Sequence, residues 1–451
     1  MSCAFETYFE SLKGKRIAVF GLGVSNRPLV RLLLEFGCDC IGCDRTDREK
    51  LDEEVLELER QGCKLSVGEH YLEGLEADLV FRTPGMHPGI PALEALRAKG
   101  AEVTSEMEVF FEVCPCTTLA ITGSDGKTTT TTLVSEMLKA SGKKVWVGGN
   151  IGTPLLPRVR EMEETDYCVV ELSSFQLMDM KRSPHVALVT NLAPNHLDVH
   201  KDMEEYVEAK KNIFKFQNGN DVLIINADNE ITAPFVGNGI TKAFSYKGRD
   251  AAVKLEGDII TRNGCPVLNK QDILLPGEHN VENYMAAVAA VEGLVDDETV
   301  RQVAKTFGGV EHRIELVRIK DGVRYYNDSI ASSPSRTIAG LRSFPEKVIL
   351  IAGGYDKHIP YDVLGPEVCA HVKKLFLCGA TAPQIRAAVE SCAGEKPEMV
   401  DCGKFENAVK AAAAAAESGD VVLMSPASAS FDEFKNFMVR GNVFKKLIME
   451  L

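Results

Sequence analysis

The stretch Ala120-Ile121-Thr122-Gly123-Ser124-Asp125-Gly126-Lys127-Thr128-Thr129 constrains this chain more than any other. An apolar run, Thr118 to Ile121, reads as a buried strand, breaks into a glycine-containing loop, and enters a helical pattern from about Thr129 to Ala140. That is the physical plan of a phosphate-binding loop. Glycines let the backbone approach the phosphates, main-chain N–H groups point inward, and the helix begins with its positive dipole end there. Lys127 would reach the terminal phosphates and the Thr128 hydroxyl would hold Mg²⁺. Ile121 stands where the usual Gly-x-x-x-x-Gly-Lys pattern wants glycine, so the loop is a shortened variant.

Around this loop the chain alternates strand and helix. Apolar strands are predicted at Val145–Val147, Tyr167–Glu171, Val186–Asn191 and Asp221–Asn226, with helical stretches between them. Such alternation predicts a mostly parallel, doubly wound α/β sheet whose polar strand ends gather beside the phosphate loop. Those ends are Gly149-Asn150-Ile151-Gly152, Glu171-Leu172-Ser173-Ser174 and Asn191 through His196. Residues 228–275 read as short strands and turns, and Glu278 opens an alanine-rich helix to about Ala290.

Two further α/β segments flank this one. Residues 16–44 form a βαβ-like unit, with a strand Arg16–Phe20, a turn Gly21 to Asn26, a helix Pro28–Phe36 and a second strand ending in Asp44. The pattern is close to a dinucleotide fingerprint, but Asn26 replaces the third glycine, which leaves a nucleotide diphosphate or a plain structural unit open and weakens NAD. A third strand, Asp78–Phe81, leads into Thr83-Pro84-Gly85 at the ligand-binding edge of that sheet. After Gly308-Gly309 the alternation returns, with strands at Val323–Asn327, Lys347–Ala352, Lys374–Leu377 and Val421–Met424 and an Ala411–Ala416 helix core. The expected division is 1–106, 107–309 and 310–451: a Rossmann-like N-terminal domain, a central P-loop ATPase domain and a Rossmann-like C-terminal domain.

Length agrees with about three domains, since 451 residues exceed what one core supports. A net charge of −14 argues against a general nucleic-acid or membrane-surface binder. The first residues lack the apolar core of a signal peptide, and no apolar run is long enough to span a bilayer. Thirteen cysteines lie scattered without a paired zinc spacing, Cys114-Pro115-Cys116 being too tight, which predicts reduced, mostly buried thiols and a cytoplasmic location.

Single residues add chemistry. Glu171 closes an apolar strand opposite the phosphate loop, where a Mg²⁺- or water-holding carboxylate belongs; the bland reading is a helix-capping segment. His196 and His200 invite a zinc reading, but the glutamate of His-Glu-x-x-His is absent, and a loop histidine is the plainer account. Lys210, on a helical segment, would by itself be called a surface lysine.

Assembled, these motifs resemble the Mur ligase family over nearly the whole length, and within it the D-glutamate-adding members. The marks are Thr-Gly-Ser-Asp-Gly-Lys-Thr-Thr, Gly-Asn-Ile-Gly, Glu-Leu-Ser-Ser-Phe-Gln-Leu, Asn-His-Leu-Asp, Tyr-x-x-x-Lys, His-Asn-x-x-Asn, Glu-His-Arg, Asn-Asp-Ser and the ending Ser425 through Phe437. The resemblance implies an ATP-dependent ligase of peptidoglycan precursor synthesis, joining D-glutamate to UDP-N-acetylmuramoyl-L-alanine, and a monomer.

The resemblance also implies residue roles. ATP would be held by Gly123, Ser124, Asp125, Gly126, Lys127, Thr128 and Thr129, with Asn280, Asn283, Arg313 and Asp328. Thr128 and Glu171 would hold one Mg²⁺; His196 and Lys210 match a second site, where the family carries a carbamoylated lysine. Lys127, His196 and Lys210 would be catalytic. Val24, Ser25, Asp44, Arg45, Thr83, Pro84 and Gly85 fall where UDP is held, with Asn150 and His196 on the sugar-linked substrate. Lys357, Ser430 and Phe437 match the positions that receive D-glutamate, and Ser430 also reads as an N-cap with Glu433 three residues on.

One departure stands out. After Asn327-Asp328-Ser329 the pattern often has lysine, but Ile330 follows, and Arg336 or Lys357 could supply the cation. The alternatives are another amino-acid ligase of the superfamily (L-alanine-adding, or a folylpolyglutamate synthetase), a nucleotide-binding protein that switches without ligation, and a dehydrogenase resting on residues 21–44 alone.

Overall fold

The computed structural model describes residues 4–196 and 199–451. It contains three mostly parallel sheets in two compact units. The first unit is Met1–Lys270 with Glu282–Val303, and the second is Gln271–Val281 with Ala304–Leu451.

In the first unit, β1 (Arg16–Phe20), β2 (Asp39–Asp44), β3 (Lys64–Val67), β4 (Leu79–Arg82) and β5 (Glu102–Thr104) form a sheet in the order β3-β2-β1-β4-β5. All its pairs are parallel. The order reverses at β1, so the β1 and β4 ends open a crevice at the switch point. The helix after β1 begins at Asn26, two residues before the predicted start, because this asparagine does what the missing glycine would not. Its buried side chain donates to the carbonyls of Phe20 (3.2 Å) and Gly21 (2.8 Å) and ties the turn to the strand end. Gly21 itself is required, at φ +81° and with Thr83 so close that an added Cβ would meet Thr83 Cγ2 at 2.7 Å.

The second sheet runs through β6 (Thr117–Thr122), β7 (Val145–Gly149), β8 (Tyr167–Glu171), β9 (Val186–Val189), β10 (Val222–Asn226), β11 (Ile240–Ser245), β12 (Val253–Glu256), β13 (Ile259–Arg262) and β14 (Cys265–Asn269). Its order is β14-β13-β12-β11-β10-β9-β6-β8-β7, parallel up to β12 and antiparallel beyond. β6 thus sits centrally between β8 and β9, buried on both faces, as its unbroken apolar run requires. One apolar core reaches from Phe5 and Phe9 under the first sheet to Phe214 and Phe235 under the second.

The second unit holds β15 (Glu315–Lys320), β16 (Val323–Asn327), β17 (Val348–Gly353), β18 (Val372–Cys378), β19 (Glu398–Asp401) and β20 (Val421–Met424), in the order β15-β16-β20-β17-β18-β19. Only the β15 edge is antiparallel. The alanine run lies in and just beyond the helix Phe405–Ala414, packed on this sheet. The predicted N-cap at Ser430 is not one. Ser430 opens a turn, its carbonyl accepting from Phe434 N at 2.8 Å. The helix starts at Phe437, capped by Asn436, whose Oδ1 accepts from Val439 N at 3.0 Å. No helix among the described residues is long and apolar enough to cross a membrane.

Candidate functional site

The carboxyl ends of β6, β8 and β9 and the helix Lys127–Ala140 build the site. Gly126 caps that helix at φ +78°, a left-handed turn in which any Cβ would strike the Asn283 carboxamide. Asn283, from the helix Glu278–Ala290, accepts from Thr130 Oγ1 at 3.3 Å, which anchors it beside the loop. Lys127 Nζ lies over the loop, donating to the carbonyls of Gly123 (3.1 Å) and Ser124 (3.0 Å). One expectation is corrected. The N–H groups of Ser124 and Asp125 do not point inward; they bond Asn191 O (2.8 Å) and Oδ1 (3.0 Å), because the adjacent end of β9 claims them. The N–H groups of the first helical turn remain to serve a phosphate.

Glu171, at the end of β8, is 1% exposed. Its Oε1 accepts from Asn150 Nδ2 at 2.8 Å, while Oε2 is buried with no hydrogen-bond partner. A leftover buried carboxylate oxygen on the strand beside β6, whose end opens into the phosphate loop, fits a hard divalent cation such as Mg²⁺, and the Thr128 hydroxyl in the first turn of the helix after that loop is the second oxygen on offer. The helix-capping account applies instead to Ser173, which forms a capping box with Gln176.

Lys210 is not a surface lysine: it is 2% exposed. Its Nζ donates to Gly123 O (2.9 Å) and Thr122 Oγ1 (3.1 Å) and lies 4.9 Å from the Tyr206 ring centroid. Burial, reinforced by the Lys127 charge and opposed by Glu171, pushes its pKa well below the usual lysine range. The amphipathic helix Met203–Lys215 brings it there, burying Tyr206, Ala209, Lys210, Ile213 and Phe214 along one stripe.

His196 is exposed, in a left-handed conformation (φ +55°), with its ring edge-on to Phe175 at 5.1 Å. His200 is buried, stacks on Phe175 and bonds Ser174 Oγ through Nε2 at 2.9 Å, and among the described residues the two histidines belong to no group of three or more metal-ligating side chains. Leu197 and Asp198 of the Asn-His-Leu-Asp motif lie outside the described residues.

A cleft of about 300 Å³ joins the two sheets of this unit, with Val24, Ser25, Pro84, Asn150 and Gln176 among its walls. The structure therefore brings together the turn after β1, the loop after β4 and the Asn150 turn. Asp44 and Arg45 do not line it. Burial raises the Asp44 carboxyl, but the N–H groups of Leu22 and Thr46 outweigh it and hold the pKa below the usual range.

Arg82 is a functional residue that sequence reasoning missed. Fully buried, it donates to Thr83 O (3.1 Å), Met86 O (2.6 Å) and Phe175 O (3.1 Å) and pairs with Asp179 at 2.5 Å. It thereby fixes the Thr83–Gly85 loop against the second sheet. The available signal was a cation closing the otherwise apolar strand Leu79-Val80-Phe81-Arg82.

In the second unit, Asp328 directly follows β16. Its carboxylate accepts from Ser425 Oγ (2.7 Å) and Ile314 N (3.3 Å), and burial pushes it up to about 7 against those bonds. Arg313 is exposed, and the Asn280 carboxamide donates to Pro276 O at 2.7 Å. The segment Tyr355 to exposed Lys357 runs beside Ala429 and buried Ser430, with Tyr355 N bonded to Ala429 O at 2.9 Å. A second residue that sequence reasoning missed, Arg440, knits these loops from one buried guanidinium. It donates to Ser428 O (3.1 Å), Ala429 O (3.0 Å) and Ser329 O (2.9 Å), while Ser329 Oγ reaches Phe437 O at 2.7 Å. Arg336 Nη1 bonds Ile330 O at 3.2 Å, so of the two candidate replacement cations this one stands beside Ile330.

A shortened phosphate loop, a buried lysine and an acidic strand end on a parallel sheet define a class of nucleotide-dependent enzyme, and the chain belongs to the Mur ligase family. Residues 121–291 match the Mur ligase middle domain and residues 312–428 the Mur ligase glutamate ligase domain. The chain is similar to the UDP-N-acetylmuramoylalanine–D-glutamate ligase of Acetivibrio thermocellus, at 51% identity over 99% of both chains. To the protein of the same name from Ruminiclostridium cellulolyticum it is 48% identical over 100% of both. The fold is also that of the UDP-N-acetylmuramate–alanine ligase of Thermotoga maritima, with a TM-score of 0.57 at 19% identity over 97% of this chain and 99% of that one.

Proposed function

We propose that this protein is an ATP-dependent amide ligase that joins D-glutamate to UDP-N-acetylmuramoyl-L-alanine, releasing ADP and phosphate, as a cytoplasmic step of peptidoglycan precursor synthesis. The observation that carries the reading is the cluster at one sheet edge. There the phosphate loop, a carboxylate with an unpartnered oxygen and a buried amine converge beside the cleft that holds Asn150. The names of the full-length relatives support the choice of substrates. Three domains divided at 1–106, 107–309 and 310–451, acting as a monomer, complete the proposal.

The chemistry follows from the weakness of a carboxylate as electrophile. The alanyl carboxylate, placed by Asn150 and the cleft, takes the γ-phosphoryl of ATP and becomes an acyl phosphate. Lys127 stabilises the charge spread over the transferring phosphoryl oxygens. The neutral amine of D-glutamate, received near Lys357, Ser430 and Phe437, then attacks the carbonyl carbon. Loss of a proton and expulsion of phosphate from the tetrahedral intermediate close the amide. Asn280, Asn283, Arg313 and Asp328 serve the nucleotide.

Thr128 and Glu171 would hold Mg²⁺, which supplies charge neutralisation at the phosphates when bound. Lys210 is read as carbamoylated: its neutral amine adds to CO₂, loses a proton and becomes an oxygen ligand that with His196 suits a second Mg²⁺. The test is phosphate release with UDP-N-acetylmuramoyl-L-alanine across a panel of D- and L-amino acids. D-glutamate alone should support turnover. Turnover only with another amino acid would replace the substrate and keep the class, and amino-acid-independent hydrolysis would remove the ligase reading.

A further inference from the structure

Three thiols that the ligase chemistry does not use meet inside the first unit. Cys114 follows the helix Glu106–Val113, Cys116 precedes β6, and Cys168 lies in β8, directly opposite Thr118 in the β6–β8 register. Their sulfurs lie within 4.8 Å of one another, and Cys114 Sγ is 3.7 Å from Cys168 Sγ. The Met162 thioether adds a fourth sulfur, 3.8 Å from Cys168 Sγ. Among the described residues this is the one group of three or more His, Cys, Asp or Glu side chains so gathered. Cys116 and Cys168 are fully buried and Cys114 is half-buried, so the cluster is closed with one face towards solvent.

We propose that Cys114, Cys116 and Cys168 form a structural binding site for a thiophilic d¹⁰ metal ion, zinc or cuprous, that clamps the amino ends of β6 and β8.

The geometry is close to what such an ion requires. Sulfurs bound at about 2.3 Å to one tetrahedral or trigonal centre lie roughly 3.8 to 4.0 Å apart; Cys114 and Cys168 stand at 3.7 Å and all three sulfurs within 4.8 Å, so a small side-chain adjustment closes the set. The donor set is chemically pure. Thiolates and a thioether select zinc or Cu⁺ and reject Mg²⁺, so the magnesium that the phosphate loop needs does not compete. Pro115 holds the preceding Cys114 in the extended conformation observed (φ −69°, ψ 123°), so two of the three ligands are fixed before any metal arrives. Binding releases the thiol protons to solvent and changes no oxidation state. The site lies at the end of the strands opposite the phosphate loop: the strand that follows Cys116 ends in the loop, and the strand that carries Cys168 ends in Glu171. A metal there would stiffen these two adjacent strands without touching a reactant.

The experiment titrates the reduced full-length chain, without oxygen and in excess Mg²⁺, with Cd²⁺ as the spectroscopic probe. One ion per chain should bind with a sulfur-to-cadmium charge-transfer band. Cys114→Ser, a half-buried position that leaves the core filled, should weaken binding by about 100-fold, and Cys116→Ser likewise, while Cys265→Ser, an exposed thiol elsewhere, changes nothing. Displacement of Cd²⁺ by Zn²⁺ or by Cu⁺ then tells which ion the site prefers. Absence of the band, or a band that survives in both Cys114→Ser and Cys116→Ser, overturns the proposal. Because Cys114→Ser should keep its phosphate-release rate, a folding failure is recognised at once.

Discussion

A lysine amine reacts with CO₂ only in its neutral form, and at Lys210 the surroundings favour that form. Two acceptors, Gly123 O and Thr122 Oγ1, take the amine's hydrogens, while burial and the Lys127 charge disfavour the ammonium. The same acceptors place the group beside the phosphate loop. If the carbamate is the working ligand, Lys210→Ala should lower amino-acid-dependent phosphate release by roughly 100-fold or more, the scale of losing several kcal/mol of metal-centred stabilisation. A short-chain carboxylate added to the variant should restore part of the rate, by replacing the missing oxygens. Intact-mass measurement of the parent kept under CO₂ should show one added CO₂ that the variant lacks. A variant of near-parent activity with no CO₂ dependence removes the assignment.

At the scale of single elements, the helix Glu106–Val113 carries a stored cost. Its first residue, Glu106, is buried with only Leu156 N (3.2 Å) as partner, and burial pushes its pKa from 4.5 up to about 7. Below about pH 4.5 the carboxyl is protonated in both folded and unfolded chains. Between there and about 7 the folded chain keeps a proton that the unfolded chain gives up, so stability falls as pH rises through this window. Complete ionisation costs on the order of 3 kcal/mol. Glu106→Gln, neutral throughout, should therefore melt above the parent at about pH 8, with the gap closing towards about pH 5 in paired thermal scans.

Element boundaries also show where the sequence was readable. β1, β8, β16 and β20 have the limits expected from their apolar runs. The strands that escaped notice, β3, β5, β15 and β19, are the edges of their sheets. Half-exposed edges such as β3 and β19 need no apolar run, so no pattern marks them. The helix at Phe437 was hidden for another reason, since Asn436 rather than Ser430 supplies the cap.

Over the whole molecule, the sequence marked the site residues by motif but not their company. Arg82, Arg440 and Cys168 act through partners from about 50 to more than 100 positions away, and only folding brings those together. The walls of the cleft lie entirely within the first unit, whereas Asp328, Ile330 and Arg336 belong to the second. Ile330 removes a cation that the family pattern often supplies, and Arg336 stands at its carbonyl with a charge that draws on Asp328. If Arg336 is the replacement, Arg336→Ala should cut phosphate release about tenfold to 100-fold, the value of one charge-assisted hydrogen bond. Calorimetric binding of UDP-N-acetylmuramoyl-L-alanine should stay as in the parent, because the variant leaves the first unit untouched. Adding Ile330→Lys to Arg336→Ala should restore most of the rate, a coupling that a double-mutant cycle measures directly. Full activity of Arg336→Ala, with loss in Lys357→Ala instead, would assign the missing charge to Lys357.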